Sequence, residues 1–341
     1  MSSISRRRLL ATGAGIAVAG AFGLPAILAR PAHARVLIIG GGPGGVAAAL
    51  AVKAKSHDAD VLVVERDPTR LLRQNETDII TGRRDPADYH KLAAAGVEVS
   101  LDDIRSIDWQ TRRAEALSGR SFAFDHVILA PGIAMRDEHI AGYDREAAER
   151  FPHGWTDRQG VAALAANIRA MANGGTVIIR IPPGRMRFPE GAYRRAGEIA
   201  RYLEAEKPDA VVVILDHSQP GPREVAMLAR LSARFGERIE YVSGELFGAM
   251  RSVETENRVL NGERMSLCGD VINFIPAQEA GRIARVSGLA DDSGWCPVES
   301  ETGASRLHQR AYLIGDSSAV AGNADLAAID RRAQIIANAI A

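Results

Sequence analysis

Val36-Leu37-Ile38-Ile39-Gly40-Gly41-Gly42-Pro43-Gly44-Gly45 is the stretch on which the reading of this chain turns. Four consecutive apolar residues, three of them β-branched, suit a strand buried on both faces of a parallel sheet. The glycines behind them satisfy G-x-G-x-x-G, with Gly40, Gly42 and Gly45 at the defining positions. The first permits the tight turn, the second lets a pyrophosphate approach the backbone, and the third lets the next helix pack closely on the strand. The phosphate then meets the positive end of that helix. An Ala-rich helix is expected over 46–55 and a second buried strand over 61–64, ending at Glu65. A carboxylate there, twenty residues after Gly45, accepts both hydroxyls of an adenosine ribose. A merely structural glycine turn is the competing reading, and the motif by itself does not choose between FAD and NAD.

Outward from this βαβ unit, strands are expected at 127–130, 176–181, 211–215, 239–242, 271–274 and 311–314. Helices are expected at 159–172, 193–206, 224–235 and 325–340. The alternation means α/β layers, and 341 residues suggest about two domains. Lys+Arg and Asp+Glu both total 42, which leaves none of the cationic excess that a nucleic-acid partner requires. Aromatics are 5%, too few for base-stacking platforms. Two cysteines and eight scattered histidines give neither a disulfide scaffold nor a metal site.

The first 34 residues read as an address. Ser5-Arg6-Arg7-Arg8-Leu9-Leu10 precedes an uncharged Gly/Ala-rich run, and Ala32-His33-Ala34 forms a small-x-small cleavage site. This pattern predicts a twin-arginine signal and a periplasmic mature protein beginning at Arg35, with no stable membrane span after signal removal. An uncleaved amphipathic anchor is the alternative.

Two later segments select the cofactor. Asp125-His126-Val127-Ile128-Leu129-Ala130-Pro131-Gly132 resembles the second FAD signature of two-dinucleotide-domain flavoproteins. Ala311-Tyr312-Leu313-Ile314-Gly315-Asp316 resembles their third, in which an Asp at a strand end meets the ribityl chain. FAD is therefore expected on Gly40, Gly42, Gly45, Glu65, Ala130, Gly132, Gly315 and Asp316. The expected architecture is a Rossmann-like FAD domain, 35–150 and 271–341, interrupted by an inserted α/β domain at 151–270. In reductases of this architecture the inserted domain carries a second glycine motif for NAD(P)H. Here the strand at 176–181 runs into Pro182-Pro183-Gly184-Arg185, where two prolines remove two backbone donors. NADH is not the expected electron source.

A more specific resemblance follows. Gly142-Tyr143-Asp144, Phe151-Pro152-His153-Gly154-Trp155, Gly174-Gly175-Thr176, the ten residues from Ile275 to Ala284, Gly294-Trp295-Cys296-Pro297-Val298 and Ile314-Gly315-Asp316 are similar to the flavoprotein subunit of flavocytochrome c sulfide dehydrogenase. The resemblance implies an exported FAD oxidoreductase that passes electrons from a small sulfur-type reductant to a c-type cytochrome subunit. It also marks departures. The family has Cys-Pro-Pro-Gly-Pro-Tyr-Glu-Arg-Ala where this chain has Phe188-Pro189-Glu190-Gly191-Ala192-Tyr193-Arg194-Arg195-Ala196, so Phe188 replaces a redox cysteine. The partner cysteine lies in a segment expected beyond Ala341, which makes this chain a shortened member. Arg73 aligns with the cysteine that carries the flavin in many members, so FAD is expected to be non-covalent.

No catalytic residue is assigned. Arg185, Arg187, Arg194 and Arg195 either favour an anion near the flavin or form a solvated basic stretch. Cys268 and Cys296 are either a disulfide or two unrelated thiols. Loss of the cysteines also leaves room for a non-catalytic FAD-fold protein acting as a binding or assembly partner.

Overall fold

The computed structural model describes residues 33–67, 89–156, 158–319 and 326–341. The signal read in the first 34 residues lies outside them except for His33 and Ala34, and so does Arg73. Strand β1 (Arg35–Ile39) enters the glycine turn, and helix α1 (Pro43–Lys55) leaves it with Pro43 in the first turn, where its fixed φ suits a helix start. Strand β2 (Asp60–Glu65) returns parallel to β1, pairing Val36 with Val61 and Ile39 with Val64. Helix α2 (Tyr89–Ala94) and strand β3 (Glu98–Leu101) follow. An antiparallel piece comes next: β4 (Ile104–Asp108), β5 (Arg113–Ala116) and β6 (Ser121–Ala123). Strand β7 (His126–Leu129) lies on the other side of β1.

The chain then crosses to a second sheet through β8 (Ile133–Met135), α3 (Arg145–Arg150) and α4 (Arg158–Ala170). That half runs β9 (Thr176–Ile181), α5 (Glu190–Glu206), β10 (Val211–Asp216), α6 (Pro222–Phe235), β11 (Ile239–Ser243) and α7 (Gly244–Phe247). A second antiparallel piece, β12 (Met250–Glu254), β13 (Val259–Gly262) and β14 (Ser266–Cys268), leads to β15 (Val271–Phe274). Strand β16 (Gln278–Ala280), α8 (Arg282–Val286), β17 (Ala311–Leu313) and α9 (Leu326–Ile340) complete the fold.

Two parallel sheets result, β17-β7-β1-β2-β3 and β11-β10-β9-β15. Strand β16 pairs antiparallel with β8, Ala280 opposite Ile133, so the outgoing and returning chains run side by side. Strand β15, which the sequence reading grouped with the C-terminal segment starting at 271, pairs instead with β9 in the second sheet. Sheet membership therefore changes only after Phe274.

The continuous apolar runs are explained by burial on both faces. Val36, Ile38, Val61, Val63 and Ile128 pack with Ala48, Ala49 and Val52 of α1 and Ala333, Ile336 and Ala337 of α9. Leu37, Ile39, Val64, Val127 and Leu129 pack on the opposite face against Ile104, Ala114 and Phe122 of the antiparallel piece. Each such Val, Leu or Ile contributes about 1.5–3 kcal/mol by leaving water. The second sheet is likewise covered, by Ile168, Ala196, Ile199 and Leu203 on one face and Phe151, Phe247 and Leu260 on the other.

One charged pair lies inside this packing. Arg180, at 1% exposure in β9, donates from Nη1 and Nη2 to Glu138 Oε1 and Oε2, both at 2.7 Å. Nη1 also donates to Ile275 O at 2.8 Å, and the guanidinium lies over the Phe274 ring. Glu138 Oε1 accepts the Ala277 N–H at 2.7 Å as well. Burial alone would raise the Glu138 carboxyl, but the Arg180 hydrogen bonds and charge, with the Ala277 N–H, outweigh it and hold the carboxyl below its usual range.

Candidate cofactor site

A cleft of about 470 Å³ opens at the carboxyl ends of the first sheet's strands, where open parallel sheets bind ligands. Gly40, Gly42, Glu65, Ala130, Gly132, Gly315 and Asp316 all line it. Gly45, the remaining residue of the expected set, sits behind it. A Cβ on Gly45 would lie 1.8 Å from Gly40 O, so only glycine lets α1 lie this close to the turn. Gly40 has φ +105°, and a Cβ there would reach Ala130 O at 2.3 Å. At Gly42 a Cβ would meet nothing within 4 Å, which leaves open space at the position where a pyrophosphate must approach the backbone. These surroundings differ among the three glycines: Gly40 and Gly45 are held by close backbone contacts and Gly42 faces open space. The residues fit a dinucleotide.

Glu65 is oriented by the backbone around it. The Gly41 N–H donates to Oε2 at 2.6 Å and the Asp67 N–H to Oε1 at 2.7 Å, with the residue 5% exposed. A carboxylate has about four acceptor directions, so Glu65 keeps capacity for further donors. Asp102, Asp103 and Ile104, just after β3, also line the cleft, as do Gly281, Arg282 and Ile283. The latter three belong to the long 275–284 stretch quoted above, which was the available signal for them. Asp102 and Asp103 carried none.

At the other end, the segment 182–189 forms a wall. Phe188 lines the cleft with φ +49°, a left-handed conformation that costs a side-chain-bearing residue about 1–2 kcal/mol. Its ring lies beside Trp155, since a Cβ on Gly191 would sit 2.7 Å from Phe188 Cδ1 and 2.8 Å from Trp155 Cη2. The four arginines near it do not act together. Arg195 is fully buried, donating to His153 O, Gly154 O and Asn273 Oδ1, which corrects its reading as part of a solvated stretch. Arg194 is exposed, paired with Glu190 at 3.1 Å. Arg187 alone of the four lines the cleft, and its Nε meets Asp316 Oδ2 at 2.8 Å. Arg185 stacks over Trp295 and donates to Ser318 O at 2.5 Å.

The cysteines are separate thiols. Cys268 is exposed in β14, and Cys296 is fully buried. Burial, aided by the charge of Asp291, pushes the Cys296 thiol up to about 12 against the opposing influence of Ser317 and Arg185. It is thus protonated and unreactive at neutral pH.

In the second sheet, eight residues separate β9 from α5, so that helix does not start at the strand end as α1 does. The carboxylate closing β10, Asp216, is fully buried. It accepts from the hydroxyls of Tyr193 and Ser218, with Tyr241 Oη at 3.3 Å. It is not presented to a nucleotide ribose.

Comparisons with known proteins agree with this geometry. Residues 34–179 match the pyridine nucleotide-disulphide oxidoreductase family. Residues 161–276 match the central region of the sulfide dehydrogenase [flavocytochrome c] flavoprotein chain. The sulfide:quinone oxidoreductase of the hyperthermophilic bacterium Aquifex aeolicus superposes with a TM-score of 0.73 at 15% identity, over 90% of this chain and 76% of that one. Reduced CoADR-RHD of Bacillus anthracis gives 0.68 at 15%, over 91% and 57%. A NAD-dependent persulfide reductase from A. fulgidus gives 0.67 at 15%, over 90% and 59%. At such identities the likeness is one of fold, and this chain spans less than two thirds of the last two. The cleft and the two matches agree on an FAD-dependent oxidoreductase, similar over residues 34–179 to the pyridine nucleotide-disulphide oxidoreductase family and over 161–276 to the central region of the sulfide dehydrogenase flavoprotein chain.

Proposed function

We propose that this protein is an exported, periplasmic oxidoreductase whose non-covalently held FAD passes electrons from a small reductant to a c-type cytochrome subunit, without the sulfur relay of sulfide dehydrogenase. The observation that carries this reading is a complete dinucleotide cleft whose wall presents Phe188 in place of a cysteine. FAD, when bound, supplies reversible two-electron chemistry at its ring. The chain's own residues hold and shield it. Gly42 would leave room for the pyrophosphate, Glu65 would accept from the ribose and Asp316 would accept from the ribityl chain. Phe188 would place an apolar ring in the cleft wall.

Sulfide attack needs a disulfide that opens to a persulfide and a thiolate beside the flavin. Phe188 offers no sulfur, Cys296 is buried and protonated, and Cys268 is placed on β14. The twin-arginine pattern at Arg6-Arg7 supports export, and the family resemblance supports a cytochrome acceptor. The family match also favours an electron-transfer role over that of a non-catalytic assembly partner. Acid precipitation of the purified yellow protein tests the cofactor reading. Free FAD is expected in the supernatant, because Arg73 cannot form a thioether. A colourless protein that takes up no FAD, or flavin fluorescence that stays with the denatured polypeptide, would contradict it.

A further inference from the structure

Two arginines of the 182–189 segment reach the same short stretch beyond β17. Arg187 Nε pairs with Asp316 Oδ2 at 2.8 Å, and Arg185 Nη2 donates to Ser318 O at 2.5 Å. Arg187 is also fixed from its own side: its backbone N–H donates to Gln278 Oε1 at 2.7 Å, and Nη1 donates to Trp155 O at 3.3 Å. The left-handed turn at the next residue, Phe188, sets the direction in which this segment leaves for α5. The side chains of Arg187 and Asp316 are 13% and 25% exposed, and both residues line the cleft. Among the described residues no hydrogen bond engages Asp316 Oδ1. The ion pair therefore fixes one carboxylate oxygen and leaves the other with its full acceptor capacity.

We infer that Arg187 is a positioning residue for the flavin-bearing half of the cofactor. It pins Asp316 through Oδ2 so that Oδ1 accepts a hydroxyl of the sugar-alcohol chain of FAD. A carboxylate held in advance loses less freedom when the cofactor arrives, so the charge pair appears as cofactor affinity. The adenosine half is held elsewhere, by Gly42 and Glu65, and does not depend on Arg187. The inference rests on the reading that FAD fills this cleft.

That division gives a test that does not rely on turnover. FAD and ADP are titrated into the apoprotein, with FAD followed by flavin fluorescence and ADP by competition against it. With the ion pair gone Asp316 is no longer held in advance, so Arg187→Met should raise the FAD Kd by about tenfold or more. The ADP Kd should stay within about twofold, as expected for sites that do not couple. Arg187→Lys, which keeps the charge, should recover part of the loss and keeps the test decisive if the Met variant folds poorly. Combining Arg187→Met with Asp316→Asn should be no worse than the poorer single variant, because both remove one pair. Arg194→Met, which touches Phe188 but not Asp316, should leave both constants unchanged.

Equal weakening of FAD and ADP would show a general structural role and overturn the inference, as would unchanged FAD binding. A wild-type protein in which ADP does not compete with FAD would overturn the division into two halves. A wild-type protein that binds neither would overturn the cofactor reading itself.

Discussion

Glu138→Ala is expected to lower folding stability by about 3–5 kcal/mol, the usual cost of removing one partner from a buried ion pair. The variant leaves the Arg180 guanidinium at 1% exposure with Ile275 O as an acceptor in place of the carboxylate, and it strips the Ala277 N–H of its acceptor. Part of the wild-type stability should also be pH-dependent. The native Glu138 carboxyl is held below its usual range, so its contribution is fully present above the unfolded value, about 4.3. It is lost as the pH falls through the depressed native value. Urea denaturation at neutral and acid pH checks both points. The wild type should lose stability toward acid more steeply than Glu138→Ala, which has no such carboxylate to protonate. A variant within about 1 kcal/mol of wild type at neutral pH would mean that the pair is solvated after all.

Gly45→Val should be the most damaging single change in the glycine turn, and Gly42→Ala should separate folding from cofactor binding. At Gly45 the first added carbon would lie 1.8 Å from a backbone oxygen of Gly40. Helix α1 must therefore move away from β1, whose packing against α1 and α9 is built on small alanines. Overpacking of this kind costs about 1–3 kcal/mol and occasionally more, and two branched methyls against rigid backbone belong at the upper end. FAD binding should be lost with it. At Gly42 the added methyl meets no protein atom within 4 Å, so stability should stay within about 0.5 kcal/mol of wild type. The methyl would then occupy space reserved for the pyrophosphate, and FAD affinity should fall. Paired denaturation and FAD titrations of the two variants decide the matter. Equal FAD affinity in Gly42→Ala and wild type would remove the pyrophosphate from this turn.

The β1–α1–β2 unit was legible because each of its constraints is local: a doubly buried strand needs an unbroken apolar run, and the turn needs glycine. The antiparallel pieces were not. Strand β5 reads Arg-Ala-Glu-Ala, and its buried positions, Ala114 and Ala116, carry little β preference. Strand β14 is three residues long with no buried member. Helix α5 starts at Glu190 and not at 193 because Pro189 stands at its cap and Gly191 fits beneath Phe188 and Trp155, a packing fact invisible in the local sequence.

The site divides in the same way. The glycines of its turn and Glu65 announced themselves by spacing and Asp316 by resemblance to a flavoprotein signature, whereas the Arg187–Asp316 pair joins distant segments that only the fold brings together. Arg195 illustrates the converse: one position from the exposed Arg194, it turns to the opposite face of the helix and disappears into the core. Arg180 looked like an ordinary strand residue, and the carboxylate that makes its burial tolerable comes from the loop after β8.

Anaerobic mixing with sulfide separates a flavin oxidoreductase that works without a sulfur relay from one that retains it. FAD-loaded protein is mixed anaerobically with sulfide and a c-type cytochrome while the visible bands of flavin and haem are followed together. A clear flavin spectrum is expected, with cytochrome reduction far below about 1 per second, the low end of ordinary enzyme turnover. Sulfide-driven reduction by the wild-type protein at about 1 per second or faster would mean that a sulfur relay operates in it.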